Sequence, residues 1–243
     1  MRIGVLTPHM AVGPEAEFPE MAPGRVLVRV ERLASDREAG TVGSGRPSLD
    51  LREAMAPSQL DGAARRLVAE NVDVIAYAST TSAYALGFDA EAGLLSWLSQ
   101  TFGVPAASTC ASAVLAFSTL GIERVALVGA PWFDPRFNDL GAAYFRARGF
   151  DVVSSVSADL PQDPRRIDAA SVYGWTSNHV SEHADAVFIG GNGFRAVGAI
   201  ERLEYTLDRP VLTSNQVLFW KLVADAEVSI AVEGYGRLFA PNS

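Results

Sequence analysis

The chain of 243 residues holds one cysteine, Cys110, so it has no internal disulfide, and a reducing compartment, the cytoplasm, is the expectation. Basic residues are outnumbered, 20 Lys and Arg against 28 Asp and Glu, and they form no cluster. A net charge of −8 without such a cluster argues against a nucleic-acid or anionic-membrane partner, while a small acidic substrate stays open because its site is set locally. No uncharged apolar run approaches membrane-spanning length, and MRIGVLTP lacks the apolar core of a signal peptide. Histidine is equally scarce. His179 and His183 stand four apart on an expected helix, but without a third ligand or an HExxH pattern no metal is expected. There is no Walker loop and no G-x-S-x-G elbow, and GGNGFRAVG misses the GxGxxG spacing, so no organic cofactor is expected either.

What is abundant is apolar sequence, 49% of the chain, cut into short runs. Asp73–Gly87 is the central one: VDVIAYAS reads as a strand buried on both faces and runs into the hydroxyl-rich Ser79, Thr80, Thr81 and Ser82. Ligands of open α/β sheets gather beyond the carboxyl ends of such strands. Further strands are expected at Arg2–Thr7, Val26–Val30, Val104–Ala107, Arg124–Gly129, Asp151–Ser157, Ala184–Ile189 and Val211–Thr213. Helices alternate with them: one capped by Ser58, then Ala90–Phe102, Ala111–Leu120, the segment around Phe137–Ala147, Pro164–His183, Val197–Leu207 and Val217–Ala224. The rest of Met10–Asp50 reads as a long functional loop. Strict alternation predicts an α/β fold with parallel sheets and right-handed crossovers.

The plan occurs twice. RIGVLTPHM from position 2 resembles RVALVGAPWF from 124, DVIAYASTTSA from 73 resembles DAVFIGGNGFRA from 185, and VPAASTCASAVLAF from 104 resembles RPVLTSNQVLFWKL from 209. Three matches in one order predict two pseudo-twofold-related lobes, residues 1–121 and 122–243. Ser79–Ser82 should then face Gly190–Gly193 across an interlobe cleft, the default ligand site.

The TTS and GGNG strand ends, the APWFD turn and the terminal GYGRLF resemble the aspartate/glutamate racemase superfamily over nearly the whole chain, in the branch of arylmalonate decarboxylase and maleate cis-trans isomerase. The resemblance implies a cofactor-independent isomerase or lyase acting on a small mono- or dicarboxylate. It also implies one cysteine at each facing strand end for the racemases, the first as nucleophile in the isomerases and the second as proton donor in the decarboxylases. Here the first position falls on Thr80 or a neighbour and the second on Gly191 or Asn192, so both thiols are missing. A threonine hydroxyl has too high a pKa to replace a thiolate base unaided. What matches is the binding half: Thr80, Thr81 and Ser82 with Gly191 behind them, and Trp132 near the place where relatives carry a tyrosine. Relatives are often dimers or larger, which leaves a homo-oligomer as an expectation.

The acid or base must then come from elsewhere. His9 follows the first strand beside Pro8, a rim position similar to the family's substrate-contacting loop. Cys110 lies after the strand at Val104–Ala107 and is matched by Asn215 in the second half; it is either a small buried hydrophobe or a displaced acid. His9, Cys110 and Thr80 are thus the catalytic candidates. Pro8, Ser79, Thr81, Ser82, Trp132, Gly191, Asn192 and Asn215 are the substrate-binding ones, and Tyr77 belongs to the core. Two alternatives stay open: a hydrolase or hydratase of a small amide or ring using His9 or Cys110, and a carboxylate-binding protein without turnover.

Overall fold

Apolar segments too short to be helices, each followed by an amphipathic stretch, bury both faces only in parallel sheets flanked by helices. A computed structural model describes residues 1–33, 52 and 55–240 and shows two such sheets. Strands β1 (Arg2–Thr7), β2 (Leu27–Arg32), β3 (Val74–Tyr77) and β4 (Ala106–Ser108) pair in the order β2-β1-β3-β4. Strands β5 (Arg124–Gly129), β6 (Asp151–Ser157), β7 (Ala186–Ile189) and β8 (Val211–Thr213) repeat that order as β6-β5-β7-β8. Every pairing is parallel. The α/β fold with two related sheets is therefore present as expected.

Among the described residues, the helices that flank the sheets are α1 (Pro14–Met21), α2 (Pro57–Ala69), α3 (Thr80–Leu86), α4 (Phe88–Phe102), α5 (Thr109–Thr119), α6 (Pro135–Arg146), α7 (Ala169–His179), α8 (Ile200–Leu207) and α9 (Ser214–Asp225). Helix α2 turns Leu60, Ala63, Ala64 and Leu67 inward, the stripe its spacing predicts. Its cap is Ala56 with Pro57 in the first turn, which moves the start ahead of Ser58.

Three other expectations need correcting. The expected loop after β1 contains α1, whose buried face is Pro14, Glu17, Phe18 and Met21; residues 34–50 of that expected loop lie outside the described residues. Pro164–His183 divides into a 3-10 turn, Pro164–Arg166, and α7, which a reciprocal Asp168–Ser171 capping box starts. Because α7 ends at His179, His183 is off the helix, and His179 instead stacks on Trp175 with ring centroids 4.5 Å apart. Finally, Ser79–Ser82 is the first turn of α3 and not a loop: the Ser79 hydroxyl caps it by accepting from the Ser82 N–H at 3.2 Å.

The helices after β4 and β8 exchange sides. Phe117 of α5 packs against Phe145, Phe150 and Phe188 of the second half, with centroids 5.2–5.7 Å away. Leu218, Phe219 and Leu222 of α9 pack with Ile3, Val5, Val74 and Ala76 of the first sheet. Each sheet is thus covered by a helix from the opposite half. The exchange brings the amino ends of α3, α5 and α9 together beside the turn after β7.

Candidate active site

The site starts from the end of β1. The Thr7 hydroxyl donates to the Ala78 carbonyl at 2.9 Å and accepts the His9 N–H at 3.2 Å, fixing the residues after both strands. The His9 ring then meets Ser79: Nε2 lies 2.8 Å from Oγ, and Ser79 Oγ donates to Ser82 Oγ at 2.7 Å. A chain of polar groups, His9–Ser79–Ser82, therefore runs from the half-buried rim to the buried first turn of α3. Burial pushes the His9 imidazole down to about 4, so the ring is neutral at pH 7.

Deeper, the repeat becomes a set of contacts. Its register pairs Thr80 with Asn192 and Thr109 with Ser214, and each strand-end residue reaches the helix start of the other half. Thr80 Oγ1 is 3.0 Å from Ser214 Oγ, while Asn192 Nδ2 donates to Thr109 Oγ1 at 3.0 Å. The Gly191 N–H donates to both Thr80 Oγ1 (3.1 Å) and Ser214 Oγ (2.8 Å). Asn192 Oδ1 accepts from the Thr80 N–H at 3.2 Å, the Thr80 hydroxyl at 3.3 Å and the Thr109 hydroxyl at 3.1 Å. The Asn192 carboxamide thus sits where convergent donors hold an oxygen atom.

The 8–13 segment closes this cluster from above. A Cβ on Gly13 would fall 1.9 Å from the Asn192 carbonyl oxygen, and one on Gly193 would fall 2.6 Å from Ala11 Cβ and 3.7 Å from the Trp132 ring. Trp132 packs edge-on against Phe194 and so forms a wall beside Gly193.

With this geometry in place, comparison with known proteins is informative. The arylmalonate decarboxylase family model matches residues 56–239. The chain belongs to that family. Arylmalonate decarboxylase of Bordetella bronchiseptica is 25% identical over 206 residues, 83% of this chain and 85% of that protein. A crystal structure of arylmalonate decarboxylase superposes with a TM-score of 0.79 at 22% identity, covering 98% of this chain and 99% of that one. The maleate isomerase Iso of Pseudomonas putida S16 gives 0.84 at 19% identity, covering 98% of each chain. These structures share the fold. The racemase-superfamily branch named from the sequence is the right one, and the family member is an enzyme of the decarboxylase and isomerase kind.

Within this family member, the structure brings His9, Ser79, Thr80, Ser82, Gly191, Asn192 and Asn215 into one cluster, with Thr81 in the same helical turn as Thr80 and Ser82, Trp132 at the edge and half-buried Pro8 beside His9. Cys110 stands apart from their polar face. It is fully buried behind Thr80, its thiol donates to the Thr80 carbonyl at 3.6 Å, and its other neighbours are core residues such as Phe117. Burial first, and then nearby Glu91, push the thiol well above its ordinary range. Glu91 is itself buried, is raised by burial and accepts the Tyr144 hydroxyl from the other half.

Three residues of the cluster carry no sequence motif: Thr109, Ser214 and Glu17. The first two were findable, since the VPAAST and RPVLTS segments align them. Glu17 had no such signal. Its Oε2 accepts from Asn215 Nδ2 at 2.6 Å and its Oε1 from the Val197 N–H at 2.9 Å, and burial raises it to about 7.

Two predictions arise here. Thr80→Val keeps the shape but leaves the Gly191 N–H with one acceptor fewer and removes one donor to Asn192; we expect a loss of about 1–3 kcal/mol in denaturant unfolding. The second concerns pH. Between 4.5 and about 7 the folded state holds a proton on Glu17 that the unfolded state has released, so stability falls as pH rises through that window. His9 acts oppositely: between about 4 and 6.5 the unfolded state binds the proton, so stability rises with pH there. The two windows overlap from 4.5 to about 6.5 and offset each other there, so thermal unfolding of the wild type should change little from pH 4 to 8, whereas Glu17→Gln should show stability rising up to about pH 6.5 and level above it.

Proposed function

We propose that this enzyme moves a proton at the carbon beside a small carboxylate, with the neutral His9 imidazole in place of the missing thiols. The observation that carries the reading is the 2.8 Å contact joining His9 to Ser79 at the mouth of the hydroxyl cluster. Thr81 and Ser82 hold the carboxylate as negative charge grows on it. Thr81 supports this role because it has no internal side-chain partner among the described residues, whereas Thr80 and Asn192 bond each other. His9 takes the proton from carbon, an enediolate forms, and the imidazolium returns the proton to carbon. Trp132 stands beside Gly193 at the edge of the cluster.

Decarboxylation of an arylmalonate, favoured by the family match, is a second reading of the same site. Loss of CO2 gives the same enediolate, which needs one proton on carbon; the neutral His9 ring gives its N–H proton and takes one back from water. The test is a pair of assays on the purified chain: deuterium uptake at the α-carbon of 2-phenylpropionate in D2O, and CO2 release from phenylmalonate. Uptake that survives Cys110→Ser supports the proposal. Complete loss of both activities in a folded Cys110→Ser would refute it.

A further inference from the structure

The buried carboxyl of Glu17 has no part in the proton transfer above, yet it ends a chain of side chains that reaches Thr80. An ionised carboxylate only accepts hydrogen bonds. It therefore fixes the amide of Asn215, whose Nδ2 donates to Glu17 Oε2 at 2.6 Å and to the Asn192 carbonyl at 2.8 Å. Asn215 Oδ1 must then face Asn192 Nδ2, at 2.9 Å. That in turn leaves Asn192 Oδ1 facing Thr80 and Thr109. The polarity of two amides is set by one carboxylate on the opposite half of the chain.

We propose that Glu17 is a positioning residue that acts through Asn215 to decide which end of the Asn192 amide faces Thr80, and that a carboxylate binds when Glu17 carries a proton. This rests on the reading of the strand-end cluster as the carboxylate site. A protonated Glu17 donates from one oxygen, which asks Asn215 to present its carbonyl. Asn215 then offers its NH2 toward the Asn192 side chain and gives up its bond to the Asn192 main-chain carbonyl, and Asn192 turns its own NH2 toward the Thr80 N–H. Two donors cannot share that place, so Asn192 leaves it. The Thr80 N–H and the Thr109 hydroxyl become free for an incoming carboxylate oxygen. Electrostatics runs the same way, since a neutral Glu17 repels the anion less.

The surroundings of Glu17 allow the proton. Glu20 on its own helix and Tyr235 of the carboxyl-terminal segment are the titratable groups whose charges bear on it; the backbone N–H groups of Ala196 and Val197 and the amide of Asn215 are the donors. On β2, Arg32 is paired with Glu15, and on α9 Lys221 is paired with Asp225. Burial raises Glu17 into the neutral range.

The experiment measures binding of 2-phenylpropionate, a monocarboxylate fully ionised throughout, to the whole chain between pH 6 and 8.5 by calorimetry, with 15N spectra of the side-chain amides. For the wild type, Kd should weaken several-fold across the range while the Asn192 and Asn215 NH2 signals shift with the same midpoint. Glu17→Gln, which presents an NH2 at all pH values, should bind tightly with no pH dependence and show fixed amide signals. Glu17→Asp should restore the pH dependence. Amide signals that ignore pH in the wild type would overturn the proposal. So would a Glu17→Gln variant whose Kd still follows pH. Binding that behaves as expected without deuterium uptake would leave Glu17's role standing and remove the proton-transfer reading alone.

Discussion

His9→Ala lowers kcat for α-proton exchange of 2-phenylpropionate by about 10²–10⁴-fold, the usual worth of a positioned acid–base group. Its fold should survive, because His9 is a half-buried rim residue whose ring, among the described residues, bonds Ser79 alone. The pH profile carries a second signature. The imidazole works in its neutral form, and burial holds its pKa to about 4, so kcat of the wild type at saturating carboxylate should climb through pH 4 and stay level to pH 8. A histidine of ordinary pKa would put that rise near neutrality. Residual activity in His9→Ala should lack the acidic limb. Steady-state kinetics of both proteins from pH 3.5 to 8 gives the answer.

The largest stability effect is expected at Gly13. A methyl group there would fall 1.9 Å from the Asn192 carbonyl oxygen, a backbone atom that cannot swing aside. Either the 8–13 segment lifts or the 190–193 turn moves, and both separate His9 from the cluster. Overpacking of this kind costs up to about 3 kcal/mol. Gly13→Ala should therefore lower the denaturant midpoint strongly and weaken carboxylate binding at the same time. Gly62→Ala is the control: its Cβ meets nothing nearer than the Arg66 side chain at 3.7 Å, on the outer part of α2, and it should leave both properties in place or improve stability.

Much of the fold was legible because buried parallel strands announce themselves. Arg2–Thr7, Arg124–Gly129, Asp151–Ser157 and Val211–Thr213 form with the expected bounds, each starting or ending at a charged, glycine or polar residue that a sheet interior rejects. Helix α1 escaped the same reading because its inward face includes Glu17 and two prolines interrupt its pattern. A buried carboxylate looks like surface until its partners are known, and those partners, Asn215 and Val197, lie some 180 to 200 positions away along the chain. Cys110 shows the limit differently. Strand β4 runs to Ser108, one residue further than the apolar pattern suggests, so Cys110 is the second residue of α5. Successive helical side chains point in directions about 100° apart, and Cys110 faces the Phe117 core while Thr109 faces the site. The crossed Thr80–Ser214 and Asn192–Thr109 contacts follow from the packing of α5 and α9 across the halves, which composition and periodicity do not encode.

The central claim is that a small carboxylate sits on Thr81 and Ser82 with its neighbouring carbon at His9. A crystal structure of the whole chain with 2-phenylpropionate tests it most directly. The account predicts the carboxylate within hydrogen-bond distance of both hydroxyls and the α-carbon beside the imidazole, with Cys110 still behind Thr80. An anion bound away from these hydroxyls, or an α-carbon facing Cys110 with His9 turned to solvent, would contradict it.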